Sequence, residues 1–435
     1  MIAFFEFIWG VPLVIFIILS GVFLGLCTHF FQVSKFITLI KETVLSKDNK
    51  AKKVFLNVLG GTVGAGNIIG IATAIAVGGP GSIFWMWIIA FFSMSTKMVE
   101  VTLAVKYHVK RDNQYVGGPM YYISHISGKI GKIMGAIYTF ALLMYVLCDA
   151  CFAQVNTAST AILDTFTVSP IIIAAFFIFI SVILLIGGIS RISTFLTKSV
   201  PFMCIIYIAI ALTIVVINFK AIPNSFIIIV KYAFSPTPMV GGFLGSTVAQ
   251  AMSKGAARGI FANEAGLGTA TTVYATNDNE PIVQGMWGII EVFFVSFIVC
   301  TISGLLVLTT NAWTTGLNGA PMVLYAFNSF GGQIGKYFFC FIIVLIAYST
   351  YVGFYYEFNT CLNFFFSQKA IKFIKWIYIL PIIFAIFLPI DVIWNIADIA
   401  VGFLALINIV SLILLSRQFV EELTKYNETR KRIKD

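Results

Sequence analysis

The chain has 435 residues, of which 59% are hydrophobic and 11% charged, with a formal net charge of +10. A soluble globular domain carries roughly 25% charged residues, so this composition excludes an ordinary soluble enzyme and describes a polytopic membrane protein. The positive excess is not a nucleic-acid signal, because almost all of it falls in short segments between apolar stretches, where Lys and Arg fix orientation.

Roughly 20 apolar residues cross the hydrocarbon core as a helix, and by that ruler eleven spans are predicted. They cover residues 10–33, 54–77, 82–106, 133–158, 169–188, 195–218, 240–275, 284–310, 336–361, 373–389 and 392–416. The first is too long for a secretory signal and is followed by Lys35, Lys41, Lys47, Lys50, Lys52 and Lys53, whereas only Glu6 precedes it. The N-terminus is therefore expected outside. The second span is interrupted, because residues 60–70 read GGTVGAGNIIG. Gly78-Gly79-Pro80-Gly81 then forms an outer turn into the third span, and Gly117-Gly118-Pro119 lies in the inner loop beyond it. The fourth carries Asp149 and Gln154, and Cys148 and Cys151 at CxxC spacing. With no second such pair and only three histidines, all seven cysteines read as small buried hydrophobes. The seventh span is interrupted at Gly266-Leu267-Gly268, and the ninth carries Tyr348-Ser349-Thr350-Tyr351. Alternation places Lys106, Lys110, Arg111, Lys129, Lys132, Arg191, Lys198, Lys369, Lys372 and Lys375 inside with a basic C-terminal tail. The outer loops keep only Lys220, Lys231 and Lys336. Most tryptophans, Trp394 among them, fall near span ends as interfacial anchors.

Without the first span, two groups of five remain, each opened by a broken helix. Five is odd, so the groups insert in opposite orientation as an inverted repeat. The expected fold is an all-α polytopic membrane protein. It comprises an accessory helix and loop (1–53), two five-helix repeats (54–218 and 219–416) and a basic cytoplasmic tail (417–435).

Inside a bilayer, backbone that leaves helical geometry survives only where it faces protein, a water-filled cavity or a ligand. Small residues from Thr62 through Val63, Gly64, Ala65 and Gly66 to Asn67 let the backbone unwind and a ligand approach. The half-helix starting near Asn67 points its N–H groups and positive dipole end at the gap, which suits a carboxylate. The carbonyls ending the preceding half-helix, from Gly60 to Val63, suit a hard monovalent cation. The alternative for the break is a glycine-packed kink between crossing helices. For Ser349 and Thr350 the alternative is hydroxyls bonded back to the preceding turn.

The segments GTVGAGNIIGIATAIAVGGPGSIFWMW (61–87), GGPMYYI (117–123), VPFM (200–203), SKGAARGIFANEAGLGTA (253–270), PIVQG (281–285) and VIWNIADIAVGFLALINI (392–409) occur in order along nearly the whole chain. By them the chain closely resembles the alanine or glycine:cation symporter family, whose members use the leucine-transporter fold. The resemblance implies sodium-driven, sometimes proton-driven, uptake of small neutral amino acids. It implies that Thr62, Gly64, Ala65, Gly66 and Asn67 hold substrate, with Gln154 on the fourth span and Phe261, Asn263 and Gly266 at the second break closing the pocket. Carbonyls of Gly60, Val63 and Ile346 and hydroxyls of Ser349 and Thr350 would hold sodium. Phe354 stands in the pocket wall where the family is expected to have Trp. Asp149 stands where an amide or small residue is usual, and a carboxylate at that depth is a candidate for ion choice or proton coupling, the alternative being simple pairing with another polar group.

Lys254, Arg258 and Glu264 are expected to brace the second break, and Lys97 with Glu100, Glu291 and Glu357 to act as helix-end or interhelical partners. His29, His108 and His125 fall near the inner face, away from any central relay. The function expected is a plasma-membrane symporter with sodium as coupling ion, no resident cofactor and no enzymatic activity. Its rivals are a proton-coupled symporter or exchanger of the same fold, and, from another class, an ion channel.

Overall fold

The computed structural model describes residues 11–111, 114–126, 128–385 and 390–434. Glu6 and the end of the tenth span (386–389) lie outside them, as do the side chains of Trp394 and Lys434. Helix α1 (Val11–Cys27) buries Val14 and Leu24 against the protein and turns Leu19 and Leu26 outward. Two short helices, α2 (Phe31–Ser34) and α3 (Phe36–Glu42), lead to α4 (Asn49–Thr62), whose start is capped by Asp48 accepting from the Lys50 and Ala51 amides.

The second span breaks as predicted. After Thr62 the backbone turns extended at Gly64, makes one 3₁₀ turn (Ala65–Asn67) and resumes as α5 (Ile69–Gly78). The spine of the molecule is α6 (Gly81–Lys106). A hairpin of β1 (Val109–Arg111) and β2 (Gln114–Val116) and the short α7 (Pro119–Ile123) follow, a small addition to the expected all-α plan. Around the hairpin the His108 ring packs tilted against Tyr115 and the His125 ring against Tyr107, and burial lowers the His108 pKa. The fourth span is α8 (Gly128–Val146), a π-helical turn (Leu147–Gln154) and α9 (Val155–Thr165). Next come α10 (Pro170–Ile186) and α11 (Gly188–Ile217).

A helix not expected from the sequence, α12 (Ile222–Phe234), packs on α6; its 13 residues are too few for the spanning ruler to register. The region expected as the seventh span contains α13 (Val248–Asn263), an unwound stretch and α14 (Thr271–Tyr274). Within that stretch Glu264, Gly266 and Gly268 have φ of 54°, 84° and 80°. Glycine tolerates this left-handed geometry and Glu rarely adopts it. The eighth span is α15 (Pro281–Val292), a second π-helical stretch (Phe293–Cys300) and α16 (Thr301–Thr309). The long α17 (Ala320–Gly353) starts well before the predicted ninth span and bends at Gly332, whose φ of 53° is non-helical. Then follow α18 (Tyr355–Phe365), α19 (Gln368–Ile374), α20 (Leu380–Ala385) and α21 (Ile390–Leu414).

The basic tail is also a helix, α22 (Ser416–Lys434), and it is docked. Phe419 and Leu423 are buried, Glu422 lies 3.1 Å from Lys106, Arg430 pairs with Glu42, and Lys35 donates to Asn427 at 2.9 Å.

Among the described residues, five continuous helices are long and apolar enough to cross a membrane: Gly81–Lys106, Gly128–Thr165, Gly188–Ile217, Pro281–Thr309 and Ala320–Phe365. The molecule is thus an all-α polytopic membrane protein. Helix α6 contacts α1, α12, α13 and α15. Small residues let these backbones close up: a Cβ on Gly81 would fall 2.1 Å from Tyr232 O, and one on Gly255 2.3 Å from Ser82 O.

Candidate functional site

Residues 62–70 and 263–275 are buried throughout, so both breaks face protein rather than lipid. At the first break the Gly64 N–H donates to Asn67 Oδ1 at 2.8 Å, and Asn67 Nδ2 donates to Ala262 O on α13 at 3.0 Å. Asn67 therefore caps one break and ties it to the other. The Ala65 N–H donates to Gln154 Oε1 at 3.3 Å, and Gln154 Nε2 donates in turn to Asp149 Oδ1 at 3.3 Å. Residues five apart diverge on an α-helix. The π-helical turn Leu147–Gln154 widens the coil so that Asp149 and Gln154 meet, a feature with no local sequence signal. Asp149 is buried and also accepts from Tyr145 OH at 3.4 Å.

On the other side of the break, Thr350 Oγ1 donates to Val63 O at 3.3 Å, bringing together two of the predicted cation ligands. Ser349 Oγ instead donates to Ile346 O at 2.9 Å, with Met203 Sδ at 3.0 Å, the back-bonded alternative for that hydroxyl. Gly60 lies against α11, where an added Cβ would fall 2.8 Å from Leu196 Cδ2. The Phe261 ring covers Gly66, at which a Cβ would come within 2.5 Å of Phe261 Cε1. The Arg258 guanidinium is 5.6 Å from that ring, and Phe354 meets the Tyr145 ring edge-on at 5.8 Å. The two breaks, Gln154, Thr350 and the aromatic walls thus converge in one region.

At the second break Asn263 Nδ2 donates to Ser296 Oγ at 3.0 Å, and Asn263 Oδ1 accepts from the Ala265 N–H at 2.9 Å. Gly266 has both backbone groups satisfied from distant helices. Its N–H donates to Glu100 Oε2 at 3.0 Å, and its carbonyl accepts from Asn408 Nδ2 at 2.9 Å. Asn408 Nδ2 also reaches Glu100 Oε2 at 3.1 Å, and Tyr138 OH donates to Leu267 O. Lys97 Nζ, fully buried, donates to Asn263 O at 3.1 Å and lies 3.2 Å from Glu291 and 3.7 Å from Glu100.

Lys97 and Glu291 are interhelical partners as expected, and Lys97 and Glu100 also hold the second break. Glu264 accepts from Thr269 Oγ1 at 2.5 Å, within the unwound stretch itself. Asn408 was visible only as a letter in a matching motif. A mid-span charge is the sequence signal that marks Lys97, Glu100 and Glu291.

A multi-pass helical protein whose two interrupted helices bring carbonyls, hydroxyls and amides together at one buried place has the features of a secondary transporter. The model of the sodium:alanine symporter family matches residues 1–435, and the chain belongs to that family. An uncharacterized transporter of Haemophilus influenzae is 35% identical over 432 residues, covering 97% of this chain and 94% of that protein. The sodium/alanine symporter AgcS of Methanococcus maripaludis is 31% identical over 441 residues, covering 98% and 96%. A probable sodium/glutamine symporter, GlnT of Bacillus subtilis, is 31% identical over 441 residues, covering 99% and 91%.

Proposed function

We propose that the protein couples the inward sodium gradient to uptake of a small neutral amino acid, alanine or glycine, at the first break. The observation that carries this reading is the Thr350 hydroxyl 3.3 Å from the Val63 carbonyl, beside amides at Ala65 and Gly66. Hard oxygens on one side of the unwound turn attract a monovalent cation, and the amides of the following turn attract a carboxylate. Sodium would be held by Gly60, Val63, Ile346, Ser349 and Thr350. The amino acid would be held by Thr62, Gly64, Ala65, Gly66, Asn67 and Gln154, under walls from Phe261, Asn263, Gly266 and Phe354. In this structure Gln154 occupies the Ala65 amide, so substrate binding displaces Gln154 or shares that donor. The Phe261 ring packed on Gly66 would limit the length of the substrate side chain, and one methylene in such a wall discriminates by about 1–3 kcal/mol.

The reading includes eleven spans with the N-terminus outside and the C-terminus cytoplasmic. Alternating access would occur between two inverted five-helix repeats, for which the paired breaks are the support. A second reading, proton coupling, is favoured by Asp149, buried and hydrogen-bonded to the glutamine that touches the break.

The test is alanine uptake into proteoliposomes under an inward sodium gradient or an inward proton gradient at equal potential. Sodium-driven uptake is expected, reduced at least about ten-fold, or ~1.4 kcal/mol, by Thr350→Ala and by Asn67→Ala. Uptake that follows protons and vanishes in Asp149→Asn would establish the second reading; no concentrative uptake under either gradient would count against both.

A further inference from the structure

Both interrupted spans end their first half-helices on one ion pair. Thr62 is the last residue of α4, and its Oγ1 donates to Glu291 Oε1 at 2.9 Å. Asn263 is the last residue of α13, and its carbonyl accepts from Lys97 Nζ at 3.1 Å. Lys97 and Glu291 lie 3.2 Å apart with both side chains fully buried. Glu100, one turn along α6 from Lys97, takes the Gly266 amide at 3.0 Å.

The helices that carry this bridge are locked together. A Cβ on Gly288 would lie 3.0 Å from Lys97 Cγ, and one on Gly285 2.4 Å from Thr102 Oγ1. The joint at the first break has an alternative, because Thr62 Oγ1 is also 3.1 Å from Val58 O. A hydroxyl has one proton, so Thr62 can swing from the carboxylate to the carbonyl without losing a partner. Thr62 directly precedes Val63, whose carbonyl meets Thr350, and any ligand that fixes Val63 also biases which acceptor Thr62 takes.

We infer that Glu291 and Lys97 form a positioning relay through which occupancy of the first break sets the geometry of the second. The relay rests on the sodium–amino-acid reading above and assigns a role to two residues outside the proposed ligand set. With Thr62 on Glu291, the Lys97 ammonium stays centred between Glu291 and the Asn263 carbonyl, and the second break keeps the shape that closes on substrate. With Thr62 on Val58, Glu291 loses that donor and draws Lys97 closer, and the grip on Asn263 weakens. A link of this kind acts equally in both directions.

The test is alanine binding to the purified full-length protein in detergent, at zero and at saturating sodium. Sodium is expected to raise wild-type affinity by roughly 5- to 150-fold. Thr62→Val, which keeps the shape and removes the hydroxyl, and Glu291→Gln, which removes the charge, are expected to bring that factor close to one. Thr62→Ser is expected to restore it. A purely structural role lowers the amount of binding-competent protein and leaves the ratio of the two affinities unchanged, which would overturn the relay. An equal loss of affinity with and without sodium would overturn it too. If Glu291→Gln does not fold, the Thr62→Val and Thr62→Ser pair decides. Wild-type binding indifferent to sodium would refute the sodium–alanine reading itself, whereas a sodium-dependent wild type with equally dependent variants removes the relay alone.

Discussion

Gly353→Ala is expected to reduce sodium-driven uptake to about 1% of wild type, a loss of ~2.7 kcal/mol, while Gly61→Ala leaves most of it intact. The two glycines face each other, yet the contact is unequal. A Cβ on Gly353 would stand 2.7 Å from both the Cα and the N of Gly61, backbone atoms that cannot swing aside. A Cβ on Gly61 would meet only Gly353 C, at an ordinary 4.0 Å. The first substitution must push α17 away from α4. Thr350, one turn before Gly353, moves with α17 and loses its approach to the Val63 carbonyl. The second adds a methyl group that meets no close neighbour, so neither helix has to move. Uptake normalised to membrane-inserted protein checks both. Equal loss in the two variants would mean that this face is only packing.

Lys97→Met is expected to be among the most destabilising substitutions in the chain. The ammonium lies within 3.7 Å of Glu100 and 3.2 Å of Glu291 and donates to the last carbonyl of α13. Removing it leaves two carboxylates and a carbonyl facing one another without a cation, and breaking a buried pair on one side costs about 3–5 kcal/mol. At ~2 °C per kcal/mol, the melting temperature in detergent should fall by ~6–10 °C. Glu291→Gln should fall less, because Lys97 keeps Glu100. A melting temperature within ~2 °C of wild type for Lys97→Met would show that the network carries no net stability and acts in specificity alone.

The sites of the two interruptions were legible because they are local. Thr62 to Asn67 and Glu264 to Gly268 leave the helix where small residues cluster, and Gly266 and Gly268 take left-handed conformations that glycine adopts without penalty. The approach of Thr350 to Val63 was reached through family resemblance, since 287 residues separate them. The sequence by itself could not tell the back-bonded role of Ser349 from a ligand role. In the structure its hydroxyl donates to Ile346 O.

Composition and apolar run length alone established a polytopic helical membrane protein, and glycine content alone located the two breaks. Each depends on free energies that a short segment carries with it: transfer into hydrocarbon, and the backbone freedom of residues without a Cβ. Tertiary structure decided the rest. The π-helical turn that brings Asp149 to Gln154, the docking of α12 and α22, and the placement of Asn408 and Lys97 on the second break all depend on how helices cross. In a bilayer the face that meets lipid and the face that meets protein are both apolar, so hydrophobic periodicity does not say which side of a span turns inward. Only the assembled helices bring Glu100 and Asn408, 308 residues apart, onto the unwound backbone at Gly266.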